Sequence, residues 1–366
     1  MKKDIKIGID ARVLQTGFVN KGIGTYNYNL IKNLIKLNTD FQFSFYIFNN
    51  SEIPDIIKNE KLIKLRRHKK FNIFYQQFIT LKSDIDIFHN LLSIGPTPEI
   101  VLPFFQFKKT IGTVFDLTFY KLPDKWSQFI SNTKDYRLQI HALKKAQRVI
   151  SISSYVKNDL IKTFAISEKK LEAVHGGVDL SIFKLINSQQ ELEHIKNKYN
   201  IKNNFILGVG DIGDYKKNIK TLFKLIEFLP DFNLVIAGNP GNIKNSNPKI
   251  IFVGEVSQQE LTLLYNLASV FVFPSFAEGL GFPVLEAMAS GCPVIASDRT
   301  SLPEILGDAG VLVAPSDVKG MIQNIKKITE NNEFRQNLIN KGLKRAEVFS
   351  WENCAKKTMQ LYKEIA

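Results

Sequence analysis

One stretch constrains the chain more than any other: residues 271–297, FVFPSFAEGLGFPVLEAMASGCPVIAS. Val270 to Phe273 form a short apolar run that Pro274 ends, the pattern of a buried strand. A loop with Glu278, Gly279 and Gly281 follows. Pro283 stands where the pattern predicts the first helical position, at which its missing N–H costs nothing. Val284 to Ala289 read as a short helix that Gly291 stops. Pro293 to Ala296 then begin another strand. A strand, a helix and a strand in this order belong in a parallel sheet with helices on its faces.

The loop has chemical content. Free backbone N–H groups and the positive end of a helix dipole make an anion site at a helix N-terminus. The two glycines let a ligand approach the backbone closely. Seven residues separate the carboxylates Glu278 and Glu286. One is expected in the loop and the other in the first helical turn. Phosphates held on N–H groups and hydroxyls held on carboxylates suit a sugar nucleotide.

The same alternation runs through the rest of the chain. Ile5 to Asp10 read as a strand, and Lys21-Gly22-Ile23-Gly24-Thr25-Tyr26 open a helix to about Leu37. This is the first unit of a doubly wound domain, without the third glycine of a dinucleotide fingerprint. Further strands are predicted at 41–48, 84–89, 110–116, 148–153 and 171–174, with helices at 126–145 and 154–162, the latter capped by Ser153 or Ser154. After His175-Gly176-Gly177-Val178-Asp179 comes a polar segment, 187–200, read as a surface helix. Strands at 205–209, 234–237 and 250–253 follow, then a helix at 258–267 and a last strand at 310–314. Residues 349–362 read as an amphipathic helix. The prediction is an α/β chain of two Rossmann-like parallel-sheet domains, 1–184 and 185–348, with a helix at 349–366 returning to the first.

Composition narrows the partners. A length of 366 residues suits two domains, and a 44% hydrophobic content gives each a core. The formal charge of +14 has two readings: attraction to anionic lipid or nucleotides, and general enrichment in lysine. No nucleic-acid motif is present. The basic run Lys61 to Lys70 beside the aromatic segment Phe71 to Phe78 suits a surface docked on anionic lipid, or a solvated loop before an amphipathic helix. Cys292 and Cys354 fit no metal or disulfide pattern, so a reducing compartment is expected. With no signal peptide and no spanning apolar run, the expected location is cytoplasmic, or peripheral at the inner membrane face. Asp84-Ile85-Asp86 is formally a D-x-D, but it enters a strand. His89 lies at a strand's carboxyl end, and cleft and core roles are both open.

The block Glu278-Gly279-Leu280-Gly281-Phe282-Pro283-Val284-Leu285-Glu286-Ala287, with Ala289, Gly291, Pro293 and Val294, resembles the donor-site motif of the retaining glycosyltransferases of family 4. The resemblance covers nearly the whole chain, is strongest from Gly208 to Pro315, and implies the GT-B fold. It implies that Glu286 holds ribose hydroxyls and Glu278 the transferred sugar. Gly279, Leu280, Gly281 and Phe282 would offer N–H groups to the diphosphate. Lys217, assisted by Lys216, would neutralise it. The base would lie near Val253, and Gly22 and Gly24 would lie against the donor phosphates. Asp116 would polarise a hydroxyl. Two positions depart from the pattern. Phe115 stands where the family usually carries His, and Asp211 where some members carry Arg.

The resemblance implies a retaining, metal-independent glycosyltransferase with no cofactor. It would move a sugar, mannose or rhamnose favoured, from a nucleotide diphosphate donor, GDP-mannose favoured, to a glycan or lipid-linked glycan. The GIG-x-Y start and the SLPE segment, Ser301 to Glu304, are similar to mannosyl- and rhamnosyltransferases of surface-polysaccharide assembly. Phe115 and Asp211 motivate an alternative: a catalytically weak or inactive sugar-nucleotide-binding subunit of a larger assembly. A nicotinamide oxidoreductase is disfavoured, because neither glycine loop carries the fingerprint.

Overall fold

A computed structural model describes residues 5–19, 21–66, 78–81, 83–95, 102–103, 105–121, 133–242 and 247–366. The chain divides into two compact units. One runs to Gly176 and takes in 351–366; the other is 177–350. The first boundary falls between the paired glycines Gly176 and Gly177.

In the first unit, seven strands are described: β1 Ile5–Asp10, β2 Phe41–Phe48, β3 Leu62–Leu65, β4 Ile87–Asn90, β5 Lys109–Val114, β6 Arg148–Ser151 and β7 Leu171–Ala173. They pair in parallel in the order β3-β2-β1-β4-β5-β6-β7. β1, β2 and β4 are almost wholly buried because helices cover a parallel sheet on both faces. The helix Gly22–Leu37 buries Tyr26, Leu30, Ile31 and Leu34 and packs on the last helix, Trp351–Ile365. Tyr26 meets Trp351 edge to face at 5.8 Å. Ser153 caps the helix Ser154–Phe164, its hydroxyl accepting from the Val156 N–H at 3.2 Å.

β3 corrects the sequence reading. It lies inside the basic run read as a lipid-docking surface or a solvated loop, and no strand was expected there. Leu62, Ile63 and Leu65 are partly buried, and β3 pairs with β2 from Phe45↔Leu62 to Phe48↔Leu65. An edge strand keeps lysines in water while its apolar side chains reach the core, so charge hid it. Residues 67–77 of the expected lipid-docking segment, and 122–132 of the helix expected from Trp126, lie outside the described residues. The described part of that helix is Thr133–Lys145.

The second unit holds β8 Phe205–Val209, β9 Asn233–Ala237, β10 Ile250–Gly254, β11 Val270–Phe273, β12 Val294–Ser297 and β13 Val311–Val313. All pair in parallel, in the order β10-β9-β8-β11-β12-β13. Ile206, Ile236, Val270, Val272 and Ile295 point into one core with Leu222, Leu225, Met321 and Ile325. The last two come from the helix Val318–Glu330, which with the helix Asn332–Val348 fills residues that the sequence reading left without elements. Their apolar stripes, Met321-Ile325-Ile328 and Leu338-Gly342-Ala346, are set among lysines and asparagines and show as a face only once coiled.

Candidate active site

The strand order of the second unit reverses between β8 and β11. The carboxyl ends of these neighbours form a crevice of the kind in which open α/β sheets bind ligands. β8 delivers a loop and the 3-10 turn Tyr215–Lys217. β11 delivers residues 274–281 and the helix Phe282–Ala289.

Short-range chemistry holds the first loop in place. Asp214 caps the turn by accepting from the Lys216 N–H at 3.0 Å. Asn218 ends it at φ +52°, a left-handed conformation that asparagine tolerates. Its Nδ2 donates to the carbonyls of Pro274 and Pro315, each at 3.0 Å. The Lys216 carbonyl accepts from the Phe276 N–H and the Ser275 hydroxyl, both at 2.7 Å. The two loops are thereby locked to each other.

At their junction Lys217 Nζ donates to Glu278 Oε1 at 2.9 Å, with side chains 20% and 12% exposed. A charge-assisted bond in a largely dry setting is stronger than a neutral one. Lys217 Nζ also lies 4.9 Å from the centre of the Phe273 ring, within cation–π range. The hydroxyl oxygen of buried Ser275 lies 2.7 Å from both the Lys216 carbonyl and Glu278 Oε1 and 3.4 Å from the Ala277 carbonyl, acceptors that share its one proton. The Glu278 backbone is pinned as well. Its N–H donates to Thr300 Oγ1 and its carbonyl accepts from Ser301 Oγ, both at 2.9 Å. Thr300 holds φ +54°, unusual for a β-branched residue.

The next three residues lead into the helix N-terminus. Gly279, Leu280 and Gly281 are buried. Among the described residues their backbone N–H groups have no hydrogen-bond partner. N–H groups left free at the positive end of a helix suit an anion. Gly281 takes φ +106°, and a Cβ there would lie 2.6 Å from Leu302 Cδ2. Only glycine fits.

The helix begins at Phe282, immediately after Gly281, so Glu286 opens its second turn rather than lying in the first. Tyr265 donates its hydroxyl to Glu286 Oε2 at 3.3 Å. Burial pushes the Glu286 carboxyl up to about 7, against the pull of the Tyr265 hydrogen bond and the Lys217 charge. Lys216 contributes its carbonyl to the loop lock. Val253 lies on β10, two strands from β8, apart from this cluster. Asp211 accepts from the Asn239 N–H at 3.0 Å and ties the β8 loop to the loop after β9.

Gly22, Gly24, Phe115 and Asp116 belong to the first unit. Gly22 is exposed at the start of its helix. Gly24 is buried under its own loop: its N–H donates to the Phe18 carbonyl at 3.1 Å, and a Cβ would lie 2.2 Å from the Val19 carbonyl. Asp116 Oδ1 accepts from the Thr118 N–H at 2.8 Å. Phe115 is buried and meets the Tyr26 ring edge to face at 5.2 Å. His89 takes the core role. It is fully buried, with Nδ1 2.7 Å from the Tyr362 hydroxyl and Nε2 2.8 Å from Thr113 Oγ1. Burial pushes its pKa down to about 3, so the ring is neutral. Of the D-x-D pair, Asp84 takes the Lys6 Nζ at 2.6 Å and Asp86 the Lys6 N–H at 2.9 Å.

Ser275, Asn218, Thr300, Ser301 and Tyr265 were missed as site residues. Ser301 carried a signal, since a hydroxyl before Leu-Pro-Glu marks a helix start. A buried network was also missed in the first unit, at the reversal between β1 and β4. Arg12 grips Asp10 with two bonds, at 2.7 and 2.6 Å, and Asn90 adds a third at 3.0 Å. It anchors the chain where β1 ends.

Two doubly wound parallel-sheet units, the second with a helix N-terminus and a Lys–Glu pair at its switch point, have the fold of the GT-B glycosyltransferases. Residues 189–345 match the family of glycosyl transferases group 1, and this part of the chain is a domain of that family. The chain is similar to O-antigen chain mannosyltransferase B of Escherichia coli, 28% identical over 283 residues that cover 73% of each chain. It is likewise 28% identical to the serotype-specific mannosyltransferase WbdA of Escherichia coli, over 60% of this chain and 29% of the longer relative. It therefore spans less than a third of WbdA. Among solved structures, Anabaena Alr3699/HepE in complex with UDP and glucose superposes with a TM-score of 0.76 at 14% identity, over 98% of this chain and 99% of that one.

Proposed function

We propose that the chain transfers a sugar, mannose or rhamnose favoured, from a nucleotide diphosphate donor to a hydroxyl of a glycan or lipid-linked glycan, with retention of configuration. The observation that carries this is the run of three unpartnered N–H groups beside the Lys217–Glu278 pair. The diphosphate takes the N–H groups and draws Lys217 toward it. Glu278, held by Ser275 and Thr300, faces hydroxyls of the transferred sugar. Glu286 accepts from ribose hydroxyls. Preorganised donors aimed at the charge that develops on the leaving diphosphate lower the barrier most, so this reading asks for no metal and no cofactor. Lys216 adds charge beside Lys217. Val253 lies near the base. The mannosyltransferase relatives support mannose as the transferred sugar, and GDP-mannose is the donor favoured here. Peripheral contact with an anionic membrane, from the cytoplasmic side, completes the proposal.

The test is a thermal-shift titration with GDP, UDP, dTDP and ADP. A ligand at 100 times its Kd adds about 2.7 kcal/mol to the folded state. GDP is expected to raise the melting temperature by several degrees, and Lys217→Ala to weaken it at least tenfold. No shift with any nucleotide overturns the reading. The buried apolar ring of Phe115 favours a second reading, a sugar-nucleotide-binding subunit without turnover. That reading expects nucleotide shifts without donor consumption, and turnover gained in Phe115→His.

A further inference from the structure

Beside the Lys217–Glu278 pair, two aromatic rings that neither the strand pattern nor the donor site uses lie face to face. Tyr215 opens the 3-10 turn after β8, and Phe276 sits in the loop after β11. Their ring centroids are 5.3 Å apart and their planes 26° from parallel. Tyr215 is half exposed. Such a pair is usually buried in a core, where its area contributes most. Here it bridges the two loops at the strand-order reversal, on the outside.

The pair is also rigid. The Phe276 N–H donates to the carbonyl of Lys216, the residue after Tyr215, at 2.7 Å, and Ser275 Oγ donates to the same carbonyl. Through Ser275 that carbonyl is joined to the Glu278 carboxylate. Tyr215 is two residues from Lys217, and Phe276 two from Glu278. Thus a fixed aromatic surface with one hydroxyl handle stands next to the groups that, on the reading above, hold the diphosphate and the transferred sugar.

We propose that Tyr215 and Phe276 form a stacking platform for a pyranose ring of the acceptor glycan. The inference rests on the donor-site reading and adds to it the place where the acceptor lies. A pyranose presents several C–H groups on one face and hydroxyls around its rim, which matches an aromatic face bordered by a phenol. A rigid aromatic anchor immobilises such a ring with little loss of side-chain entropy. A nucleobase fits the location less well. The diphosphate separates base from sugar, and the platform is joined through Ser275 to Glu278, the group that on this reading faces the transferred sugar.

Saturation-transfer NMR on the full chain tests this. The aromatic protons are irradiated in the presence of GDP and of one of three probes: mannotriose, maltotriose or a galactotriose. Wild type is expected to pass saturation to ring C–H protons of at least one probe, mannotriose first. Tyr215→Ala is expected to weaken that probe about tenfold, and Tyr215→Phe to retain it, while both keep the GDP thermal shift. Three results overturn the platform: no transfer from wild type to any probe, transfer unchanged in Tyr215→Ala, or loss of the GDP shift in Tyr215→Ala with transfer intact. A missing GDP shift in wild type counts against the donor reading alone, because the NMR arm is repeated without nucleotide. If Tyr215→Ala does not fold, Tyr215→Leu, which keeps apolar volume without a ring, gives the same comparison.

Discussion

At the scale of single residues the chain separates groups that act through charge from groups that only pack. Glu286 belongs to the first kind. Its carboxyl titrates near 7 in the folded protein against an ordinary value of 4.5, so the folded state holds the proton more tightly than the unfolded one. That contribution is complete below about pH 4.5 and is lost as pH rises through 7. Relative to Glu286→Gln, wild type should therefore lose up to about 3 kcal/mol between these limits, read by urea unfolding at several pH values. A difference that stays flat with pH contradicts the assignment. Nucleotide binding should run the other way and strengthen as pH rises through 7, since ribose hydroxyls donate to the ionised carboxylate. His89 belongs to the second kind. Tyr362 and Thr113 satisfy both its nitrogens. Tyr362→Phe leaves Nδ1 unpaired in the core and should cost about 1–3 kcal/mol in denaturant unfolding; an unchanged midpoint would remove that role.

Elements show why some sequence signals were readable and others were not. The helix Phe282–Ala289 was legible because glycine, proline and apolar residues stand at positions that each follow from backbone geometry. Gly281 is the sharpest case: φ +106° and a 2.6 Å approach to Leu302 leave no room for a side chain. Gly281→Ala should cost about 1–3 kcal/mol and abolish the nucleotide shift, because the N–H groups before the helix lose their aim. A variant with unaltered unfolding and binding contradicts this. β3 was not legible, because four residues without alternation are too short a signal inside a run of basic residues. The Thr300 and Ser301 contacts with Glu278 were not legible either, since 22 and 23 residues separate the partners.

For the whole molecule, the charge of +14 predicts attraction to anionic surfaces that falls steeply with salt. The chain should pellet with vesicles containing phosphatidylglycerol at low salt, and release by 0.5 M NaCl. Equal pelleting with neutral vesicles removes the membrane proposal. The alternation of apolar strands with helices by itself determined a parallel α/β chain in two halves, because the side-chain period and the connection length are local properties. The Glu278 to Glu286 block by itself determined a glycine loop feeding a helix N-terminus, because that turn is built from consecutive residues. Tertiary structure alone decided that Lys217 meets Glu278, that Asn218 and Ser275 lock two loops, and that Tyr215 stacks on Phe276. Each of these joins residues about 60 positions apart, and only the reversal of strand order between β8 and β11 brings the two loops to one edge.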